Sequence, residues 1–571
     1  MKLRKVLIEN FRSIKRLEFE FPKNGMLVLV GPNNSGKSNI IRAIDGICGD
    51  GWFGPEKMED HDYYLRNKDN QVEIRLYFDN GKTAKLSSSE KWPAYLDHSN
   101  RKIYGKVGDD YPCTYLGADR TFDRHLAFYD WTLIGKIRKA FHQRATVVQS
   151  ELKAKFNELT KIFDKVEGFT KFKSDFSRFF DEMQADTPAR LSIDFKPFTP
   201  ANYFKTMQIL AADPNQGEDV LDLSELGEGS RNTILLALLR SYAVNFRNSP
   251  EGVSGILALE EPEIFLHPQA RRHLFKVLRE ISESGMQVII STHSSSFIDT
   301  EFFESIGQVV KEPDDENPGK MHTTLTIVSK NRLVEHCRTS GVPVQKVTKE
   351  NVTEFYKTTS NFRLNEGFFA RFLVLVEGET EELALPEYLS AVGLDCDLRG
   401  VSIISVQGKN QIPKYWRLFC LYKTPLLVVF DNDSDSPEKQ KSNKNLASCF
   451  ALTLDEIVNE VDIFKVIESK NSPNTPIIIM EKDFETALSK DFCKNFPTKK
   501  QELEKWEQEA KDLIKPIGNQ NKGQIARYIA RKIRSTYPDY TPSFIKEIGD
   551  RMKIQLGLER NAYEPEEDMP F

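Results

Sequence analysis

Residues 31–38 read Gly-Pro-Asn-Asn-Ser-Gly-Lys-Ser and match the pattern G-x-x-x-x-G-K-S at every fixed position. The two glycines let backbone N–H groups curl around a β-phosphate, the lysine reaches the β- and γ-phosphates, and the last hydroxyl takes one Mg²⁺ position. The apolar run 26–30 predicts a buried strand before this loop, and residues 39–47 predict a helix after it. The sequence therefore predicts an ATP site built from Gly31, Asn33, Asn34, Ser35, Gly36, Lys37 and Ser38.

Length and composition bound the kind of protein. A chain of 571 residues is too long for one core, so we expect two or three domains. We find no signal peptide and no apolar run near the ~20 residues of a membrane span, and we expect no membrane partner. The 7 cysteines are scattered without C-x-x-C spacing, which argues against a zinc ribbon or a disulfide framework and fits a reducing, cytoplasmic location. The net charge of −5 means that a nucleic-acid partner requires locally gathered basic residues or bound metal ions.

The helical periodicity from about Trp131 to Met183 interrupts the strand-like pattern of the first half. Apolar residues at 148, 152, 156, 159, 163 and 166 follow a coiled-coil spacing, and a phenylalanine-rich set continues after Gly168. The pattern predicts a helical hairpin, which is either a local packing layer or a dimer interface. The number of phenylalanines favours the dimer interface, because one hairpin cannot bury them all against itself.

Three further segments complete a nucleotide-binding pattern. Gly227, Gly229 and Ser230 precede a helical run and predict an anion site at a helix N-terminus. The buried strand 255–259 ends in Glu260, which is suited to the Mg²⁺ water shell, and Glu261, which is suited to polarising the attacking water. A second buried strand from residue 288 ends in His293, which is placed to sense the γ-phosphate.

In this order the segments resemble the ABC-type ATPase heads of recombination and chromosome-maintenance proteins. The resemblance implies a dimer in which the signature of one head, here Gly227–Ser230, closes over ATP held by the loop of the other. Glu260 departs from the aspartate that most such heads carry at this position.

Acidic residues follow three apolar strands in the second half. The strand 372–376 ends in Glu377, and Glu381 lies one helical turn later on the same face. The strand 425–430 ends in Asp431 and Asp433, and the strand 477–480 leads into Asp483 and Glu485. Such a cluster at the carboxyl edge of a parallel sheet requires cations, and hard oxygen ligands suit Mg²⁺ or Mn²⁺. The alternative is that these acids cap helices or are solvated in loops.

A strand followed by Glu-Gly-x-x-Glu and a later strand followed by Asp-x-Asp resemble the TOPRIM domain of topoisomerases, primases and certain nucleases. With an ABC-type head before it, the chain resembles the OLD (overcoming lysogenization defect) nucleases over nearly its whole length. Glu-Glu-Pro-Glu is common in that family at the second ATPase motif, which accounts for Glu260. We find no separate module for a topoisomerase tyrosine or for a primase.

The OLD resemblance implies ligands for two Mg²⁺ or Mn²⁺ ions, with Ca²⁺ as a non-catalytic substitute. These ligands are Glu377, Glu381, Asp431, Asp433, Asp483 and Glu485. Lys522 stands in the place of the family's C-terminal catalytic lysine, and Gly408-Lys409 looks like a family feature near the site. The implied activity is two-metal hydrolysis of DNA phosphodiesters, by nicking, cleavage or exonuclease action. The resemblance further implies that ATPase state controls the reaction, in phage defence or DNA repair.

The fold expected from these patterns is multidomain α/β, with an ABC-type P-loop ATPase head, a helical insertion and a Rossmann-like TOPRIM domain. The expected boundaries are 1–125 and 201–365 for the two parts of the head, 126–200 for the insertion and 366–571 for TOPRIM. The expected partners are DNA and a second copy of the chain, in a homodimer or a higher homo-oligomer. Two alternatives stay open: a nuclease subunit of a Gabija-like complex with a helicase partner, and an ATP-driven DNA clamp or repair scaffold whose TOPRIM domain is idle.

Overall fold

The computed structural model describes most of the two halves of the chain but little between residues 118 and 254. The described residues are 1–49, 58–90, 93–96, 101–103, 107–117, 255–264, 266–357, 362–432, 437–459, 461–472, 475–514 and 522–558, with scattered residues between 150 and 241. The helical insertion falls almost wholly outside them, so its predicted dimer interface stays a prediction. Gly227, Gly229, Ser230 and Asp433 also lie outside the described residues.

An antiparallel sheet forms the N-terminal layer. Its strands alternate buried and accessible residues, as the period-two pattern predicts: positions 72, 74, 76 and 78 are all buried. The spatial order is β2-β1-β4-β5-β6-β7. The strands are β1 (Leu3–Phe11), β2 (Ile14–Glu20), β4 (Glu73–Phe78), β5 (Thr83–Ser87), β6 (Ala94–Leu96) and β7 (Lys102–Ile103).

The phosphate-binding loop belongs to a second, mainly parallel sheet. Its central strand β3 (Met26–Val30) has the predicted bounds and lies between two parallel neighbours. The order is β14-β13-β3-β12-β11-β8, with only β14 antiparallel to its neighbour. The strands are β8 (Cys113–Leu116), β11 (Ile256–Glu260), β12 (Gln287–Ser291), β13 (Ile306–Pro313) and β14 (Met321–Ile327), and a separate ribbon pairs β9 (Ala211–Ala212) with β10 (Val220–Leu221). The helices of this half whose bounds the structure describes are α1 (Lys37–Cys48), α2 (Val107–Asp110) and α3 (Pro268–Glu283).

A five-stranded sheet forms the C-terminal half, in the order β16-β15-β17-β19-β18 with only the edge strand β18 antiparallel. Its strands are β15 (Phe372–Val376), β16 (Val401–Ser405), β17 (Leu426–Asp431), β18 (Phe464–Glu468) and β19 (Pro476–Met480). The helices that link the sheets and cover this half are α4 (Lys330–Thr339), α5 (Lys349–Lys357), α6 (Phe362–Glu366), α7 (Glu379–Ala391), α8 (Cys396–Arg399), α9 (Ile412–Leu421), α10 (Pro437–Phe450), α11 (Leu454–Val458), α12 (Phe484–Asn495), α13 (Lys500–Ile514), α14 (Lys522–Thr536) and α15 (Ser543–Leu556).

Among the described residues, three hydrophobic cores lie between these layers. The first fills the space between the antiparallel sheet, α1 and one face of the parallel ATPase sheet. The second runs without a break from the other face of that sheet, through α3, α4 and α9, to one face of the C-terminal sheet. The third packs α7, α12, α14 and α15 on the remaining face. Because the second core is shared, the two parallel sheets are joined by packed side chains as well as by the chain itself.

None of the helices among the described residues is both long enough and apolar enough to cross a membrane.

Candidate functional site

The backbone of the phosphate-binding loop adopts conformations that require glycine. Gly31 and Gly36 have φ angles of +140° and +108°. A Cβ atom on Gly31 would collide with the carbonyl oxygen of Val309, and one on Gly36 would collide with the Thr323 hydroxyl. Asn33, Asn34 and Ser38 are exposed at the mouth of the loop. The loop therefore has the shape that backbone N–H donors need to surround a phosphate.

A chain of hydrogen bonds from outside the motif holds this loop. The Thr323 hydroxyl on β14 donates to the Ser35 carbonyl oxygen at 2.8 Å and lies 2.7 Å from the Ser13 hydroxyl. The Asn39 amide donates to the same Ser13 oxygen at 2.7 Å. Sequence reasoning missed Ser13 and Thr323, because 310 residues separate the two.

Lys37 is buried at the base of the loop. Its Nζ donates to the carbonyl oxygens of Gly31 and Pro32, each at 2.9 Å. Burial lowers the pKa of Lys37 to about 8, against the opposing charges of Glu261 and Glu263. A phosphate that replaced the two carbonyls would supply a full negative charge to this partly desolvated cation.

The predicted glutamates and His293 meet at the ends of β11 and β12. The Nε2 atom of His293 is 3.9 Å from Glu261 Oε1. Burial and the charge of Lys37 both lower the pKa of His293, while Glu261 raises it. Glu261 has a left-handed backbone with φ +46°, a strained conformation of the kind concentrated at functional sites. Glu260 Oε1 is buried without a hydrogen-bond partner among the described residues.

Glu263, the last residue of the Glu-Glu-Pro-Glu segment, holds the strand end that carries His293. Its Oε1 accepts from the Thr292 hydroxyl at 2.8 Å and from the His293 backbone N–H at 2.7 Å. Sequence reasoning quoted this residue but gave it no role. The contacts make it a positioning residue for His293.

We expect Glu263→Ala to lower kcat for ATP hydrolysis by about 10- to 100-fold with little change in KM for ATP, by analogy with residues that orient metal ligands. The substitution leaves the buried Thr292 hydroxyl and the partly buried His293 N–H without their acceptor, so the His293 loop moves while the phosphate-binding loop keeps its contacts. Steady-state hydrolysis assays test this split, and Glu263→Gln, which keeps the acceptor oxygen, should retain most activity. If kcat and KM change by the same factor in Glu263→Ala, and Glu263→Gln shows the same change, the positioning role is contradicted.

At the other sheet, predicted acids lie where parallel strands end. Glu377 follows β15 directly, Asp431 is the last residue of β17, and Glu381 is in the first turn of α7. The Asp431 N–H donates to Glu377 Oε2 at 3.4 Å, and the Gly378 N–H donates to Glu381 Oε2 at 3.2 Å. The Thr380 hydroxyl lies 3.5 Å from Glu485 Oε1 and links the third strand's acids to this group.

Burial and mutual repulsion dominate the electrostatics of these carboxylates. Burial raises the pKa of Asp431 well above its usual range, and the charges of Glu381 and Glu377 raise it further. Burial likewise raises the pKa of Glu381, with Glu377 and Glu485 adding to the shift. The Oδ1 atom of Asp431 is buried and has no hydrogen-bond partner among the described residues. A buried carboxylate group of this kind is stabilised by a cation or by protons.

Two of the six predicted metal ligands, Asp483 and Asp433, are not shown in contact with the other carboxylates. Asp483 caps helix α12 by accepting from the Thr486 N–H at 2.7 Å, which is the capping role considered above as the alternative. In the part of the chain that the structure describes, no three His, Cys, Asp or Glu side chains converge on one ion position. Asp433, one of the six predicted ligands, is outside that part.

Lys409 is the cation that the fold brings to these acids. It follows β16 in the segment Gly408-Lys409, is 5% exposed, and lowers the pKa of Asp431. Its Nζ donates to Asn443 Oδ1 on α10 at 3.2 Å. The sequence marked this segment only as a feature near the site.

Lys522, the predicted catalytic lysine, is the exposed first residue of α14. The helix approaches α7 closely at Gly523, where a Cβ atom would lie 2.7 Å from the Glu379 carbonyl oxygen. Lys522 therefore stands beside the first turn of α7, which carries Glu381. Its amine makes no ion pair with the described carboxylates.

Comparisons with known proteins agree with this arrangement. A family model described as "AAA ATPase domain" matches residues 1–110 and 113–298, more than half of the chain. A model described as "Overcoming lysogenization defect protein-like, TOPRIM domain" matches residues 368–433, where the acids Glu377, Glu381, Asp431 and Asp433 lie. The chain belongs to the AAA ATPase domain family and carries an OLD-like TOPRIM domain. It is an enzyme that joins an ATPase domain to a TOPRIM nuclease domain, as the sequence predicted.

The chain also resembles named nucleases along most of its length. It is 26% identical over 556 residues to the Old nuclease of Escherichia phage P2, covering 86% of this chain and 87% of that protein. It is 24% identical over 462 residues to the OLD nuclease of Thermus scotoductus, covering 76% and 82%. A shorter match at 25% identity to the endonuclease GajA of Bacillus cereus covers 38% of this chain and 32% of that protein. The ATPase and TOPRIM domains together imply the use of a nucleotide and a divalent metal.

Proposed function

We propose that this chain is a divalent-metal-dependent DNA endonuclease whose phosphodiester cleavage is controlled by its own ATPase domain. The observation that carries the proposal is the buried Oδ1 of Asp431, which has no hydrogen-bond partner among the described residues and lies beside Glu377 and Glu381. Uncompensated acids cost stability, so such a group persists where a cation is bound. Two relatives that share most of the chain are named nucleases, and a third is named an endonuclease.

The carboxylates fit Mg²⁺ or Mn²⁺. Both ions prefer oxygen ligands, and the group offers several carboxylate oxygens without competing nitrogen or sulfur atoms. The proposed ligands are Glu377, Glu381, Asp431, Asp433, Asp483 and Glu485, with Ca²⁺ as a non-catalytic substitute. When bound, two such ions would supply an activated water and stabilise the leaving 3′-oxygen.

The chain's own cations complete the proposed chemistry. Lys409 is buried beside Asp431 and offsets part of the negative charge that the acids create. Lys522, exposed at the start of α14, makes no ion pair with a carboxylate among the described residues and is available to a phosphate oxygen of the substrate. Transition-state charge on the phosphate would then be stabilised electrostatically by the Lys522 amine, an effect that is a large source of rate enhancement in phosphoryl chemistry.

For ATP hydrolysis we propose that Lys37 and Ser38 bind the phosphates and Mg²⁺, while Glu260 holds the water shell of that ion. Glu261 polarises the attacking water. His293, whose Nε2 lies 3.9 Å from Glu261 Oε1, senses the γ-phosphate. Gly227, Gly229 and Ser230 would act from a second copy of the chain, in a homodimer that encloses two nucleotides. The proposed domain boundaries remain 1–125 and 201–365 for the ATPase, 126–200 for the dimerising insertion, and 366–571 for the nuclease.

Supercoiled plasmid DNA tests the proposed nuclease. We expect nicked or linear product with Mg²⁺ or Mn²⁺, no product with Ca²⁺ or EDTA, and a different rate when ATP is added. The ratio of nicked to linear product over time distinguishes single-strand from double-strand cutting. If no metal supports cleavage of any DNA form while ATP is still hydrolysed, the proposal is wrong and a scaffold with an idle TOPRIM domain is favoured.

A further inference from the structure

Helix α14 concentrates positive charge on one face. Its sequence contains five cationic side chains and no acidic one. Arg527, Arg531 and Arg534 are spaced four and three residues apart, so they line a single helix face. The guanidinium groups are accessible, since the exposed fractions of these side chains are 46%, 59% and 38%. We call these three residues the arginine ridge.

All three arginines of the ridge share one carboxylate, Glu387 on α7. The Arg527 and Arg531 guanidinium groups each lie 2.8 Å from Glu387 Oε1, and Arg534 lies 3.6 Å from Oε2. Glu387 is only 15% exposed, so the surface that solvent meets is formed by the guanidinium groups. Burial opposes ionisation of Glu387, but Arg527 and Arg531 outweigh it and lower the pKa of Glu387. Three cations against one anion leave a net charge of +2.

One arginine would suffice to pair Glu387 and fasten α14 to α7. Like charges spaced i, i+4 on a helix repel, so two additional arginines at this position cost stability unless a further anion joins them. The surplus charge therefore indicates a site for an anionic partner. Guanidinium groups bind phosphate in bidentate fashion, which makes arginine the residue most suited to a phosphate backbone.

The ridge starts beside the carboxylate site. Gly523 of α14 touches Glu379 and Leu383 of α7, while Arg527 and Arg531 reach Glu387 further along, so the two helices run side by side in the same direction. With a rise of about 1.5 Å per residue, Arg527 lies about 8 Å and Arg534 about 18 Å from Lys522 along the axis. The ridge itself spans about 10 Å, which corresponds to about three phosphates of one DNA strand at 3.4 Å of axial rise each.

We propose that the arginine ridge binds the phosphates of DNA on one side of the bond that is cut, and so aligns the strand with the carboxylate site. This inference rests on the proposed nuclease function and names the surface by which that site holds its substrate.

Salt-dependent DNA binding, measured by fluorescence anisotropy in Ca²⁺, tests the ridge directly. We expect the double variant that carries both Arg531→Gln and Arg534→Gln to reduce the slope of log K against log [salt] by about 2, one for each lost phosphate contact. In Mg²⁺, KM for DNA should rise more than kcat falls. Lys532→Gln is the matched control, because Lys532 lies on the same helix but pairs with Glu509 at 3.2 Å on another face. Its slope should stay at the wild-type value.

Glu387→Gln gives a second test with the opposite sign. Removing the shared carboxylate raises the net charge of the ridge, so we expect tighter DNA binding and a steeper salt slope. If the ridge only fastens α14 to α7, this variant instead lowers the melting temperature without improving DNA binding. If the arginine double variant and Glu387→Gln both keep the salt slope of the wild type, the inference about the ridge is overturned and the nuclease proposal stands. If the wild-type protein itself neither binds nor cuts DNA, the nuclease proposal is overturned.

A second and independent set of contacts joins the ATP site to the carboxylate site through the short helix α6. The Asn365 side chain is 3% exposed, and its amide donates to the carbonyl oxygens of Ser295 at 3.3 Å and Ile298 at 3.0 Å. Ser295 is the first residue of a 3₁₀ turn (Ser295–Phe297) that begins two residues after His293, and Ile298 directly follows that turn. Asn365 therefore holds the loop that continues from the proposed γ-phosphate sensor.

The same helix contacts the first turn of α7. The Arg363 guanidinium lies 3.1 Å and 3.3 Å from the two carboxylate oxygens of Glu382, the neighbour of Glu381. Glu366, at the end of α6, accepts from the Ser402 hydroxyl on β16 at 3.0 Å. A displacement of the His293 loop would thus be transmitted through the short helix α6 to the first turn of α7, which carries Glu381.

We infer that Asn365 is a positioning residue through which the nucleotide state of the His293 loop sets the rate of DNA cleavage. This inference also rests on the proposed function. Asn365→Asp keeps the side-chain shape but replaces the amide donor by an acceptor that faces two carbonyl oxygens, so the loop and α6 separate.

The readout is the ratio of cleavage rates with and without ATP. We expect Asn365→Asp to move this ratio toward one by about 2- to 30-fold, the range of measured coupling effects. Thr424→Val is the matched control: it removes the 3.0 Å hydrogen bond from Gln308 between the same two halves but away from the His293 loop. An unchanged ratio in Asn365→Asp, an equal change in the control, or a wild-type rate that does not respond to ATP each overturns the inference.

Discussion

Asp431→Asn is expected to lower DNA cleavage by more than about 100-fold, because loss of a direct metal ligand should exceed the 10- to 100-fold effect of losing a residue that orients one. The substitution preserves shape and removes one charge from a buried group that also contains Glu377 and Glu381. ATP hydrolysis should continue at the wild-type rate, since the phosphate-binding loop belongs to the other sheet. Nicking of plasmid DNA and release of inorganic phosphate measure the two activities in one preparation.

Thermal unfolding separates this effect from a general loss of structure. In EDTA, Asp431→Asn should melt at a higher temperature than wild type, because it relieves repulsion among buried carboxylates. Added Mn²⁺ should stabilise wild type much more than the variant. Asp397→Asn removes an exposed carboxylate of the same sheet domain and should behave as wild type in both assays. Equal stabilisation of Asp431→Asn and wild type by Mn²⁺ would show that Asp431 is not a ligand.

Lys37→Ala should reduce ATP hydrolysis by about 100- to 1,000-fold, the typical cost of removing one preorganised donor from a developing negative charge. Lys37 is the buried cation of the loop and is held by two carbonyl oxygens at 2.9 Å. The carboxylate site should still form, so Mn²⁺ should raise the melting temperature of this variant as it does for wild type. Phosphate release at saturating ATP is the measurement.

A matched control comes from the same half of the chain. Lys23→Ala removes an exposed lysine from the turn before β3 and should leave ATP hydrolysis unchanged. Normal hydrolysis by Lys37→Ala would mean that the loop is not the catalytic nucleotide site.

The elements that the sequence predicted best are the buried strands beside the two sites. The strands 26–30 and 372–376 have the predicted bounds, because each is an unbroken apolar run that ends where glycine or acid begins. The acids Glu377 and Asp431 follow their strands as expected, since parallel strands end at a common edge. Fold class was accordingly predictable from local pattern.

What the sequence could not reveal depends on contacts between distant residues. Ser13 and Thr323 meet only because β14 folds back over the loop, and neither residue has a local signature. The shared hydrophobic core between the two parallel sheets was not predicted, because a buried apolar residue does not identify its partner sheet. Asp483 illustrates a different limit: an acid before a helix reads equally well as a cap or a ligand, and its contact with the Thr486 N–H appears only in three dimensions.

The most direct test of the account compares wild type and Asp431→Asn on supercoiled plasmid in Mn²⁺, each with and without ATP. The account predicts that wild type converts the plasmid to nicked or linear DNA at a rate that ATP changes. It predicts that Asp431→Asn leaves the plasmid supercoiled with or without ATP. Equal cleavage by the two proteins, or cleavage by neither while both hydrolyse ATP, would contradict it.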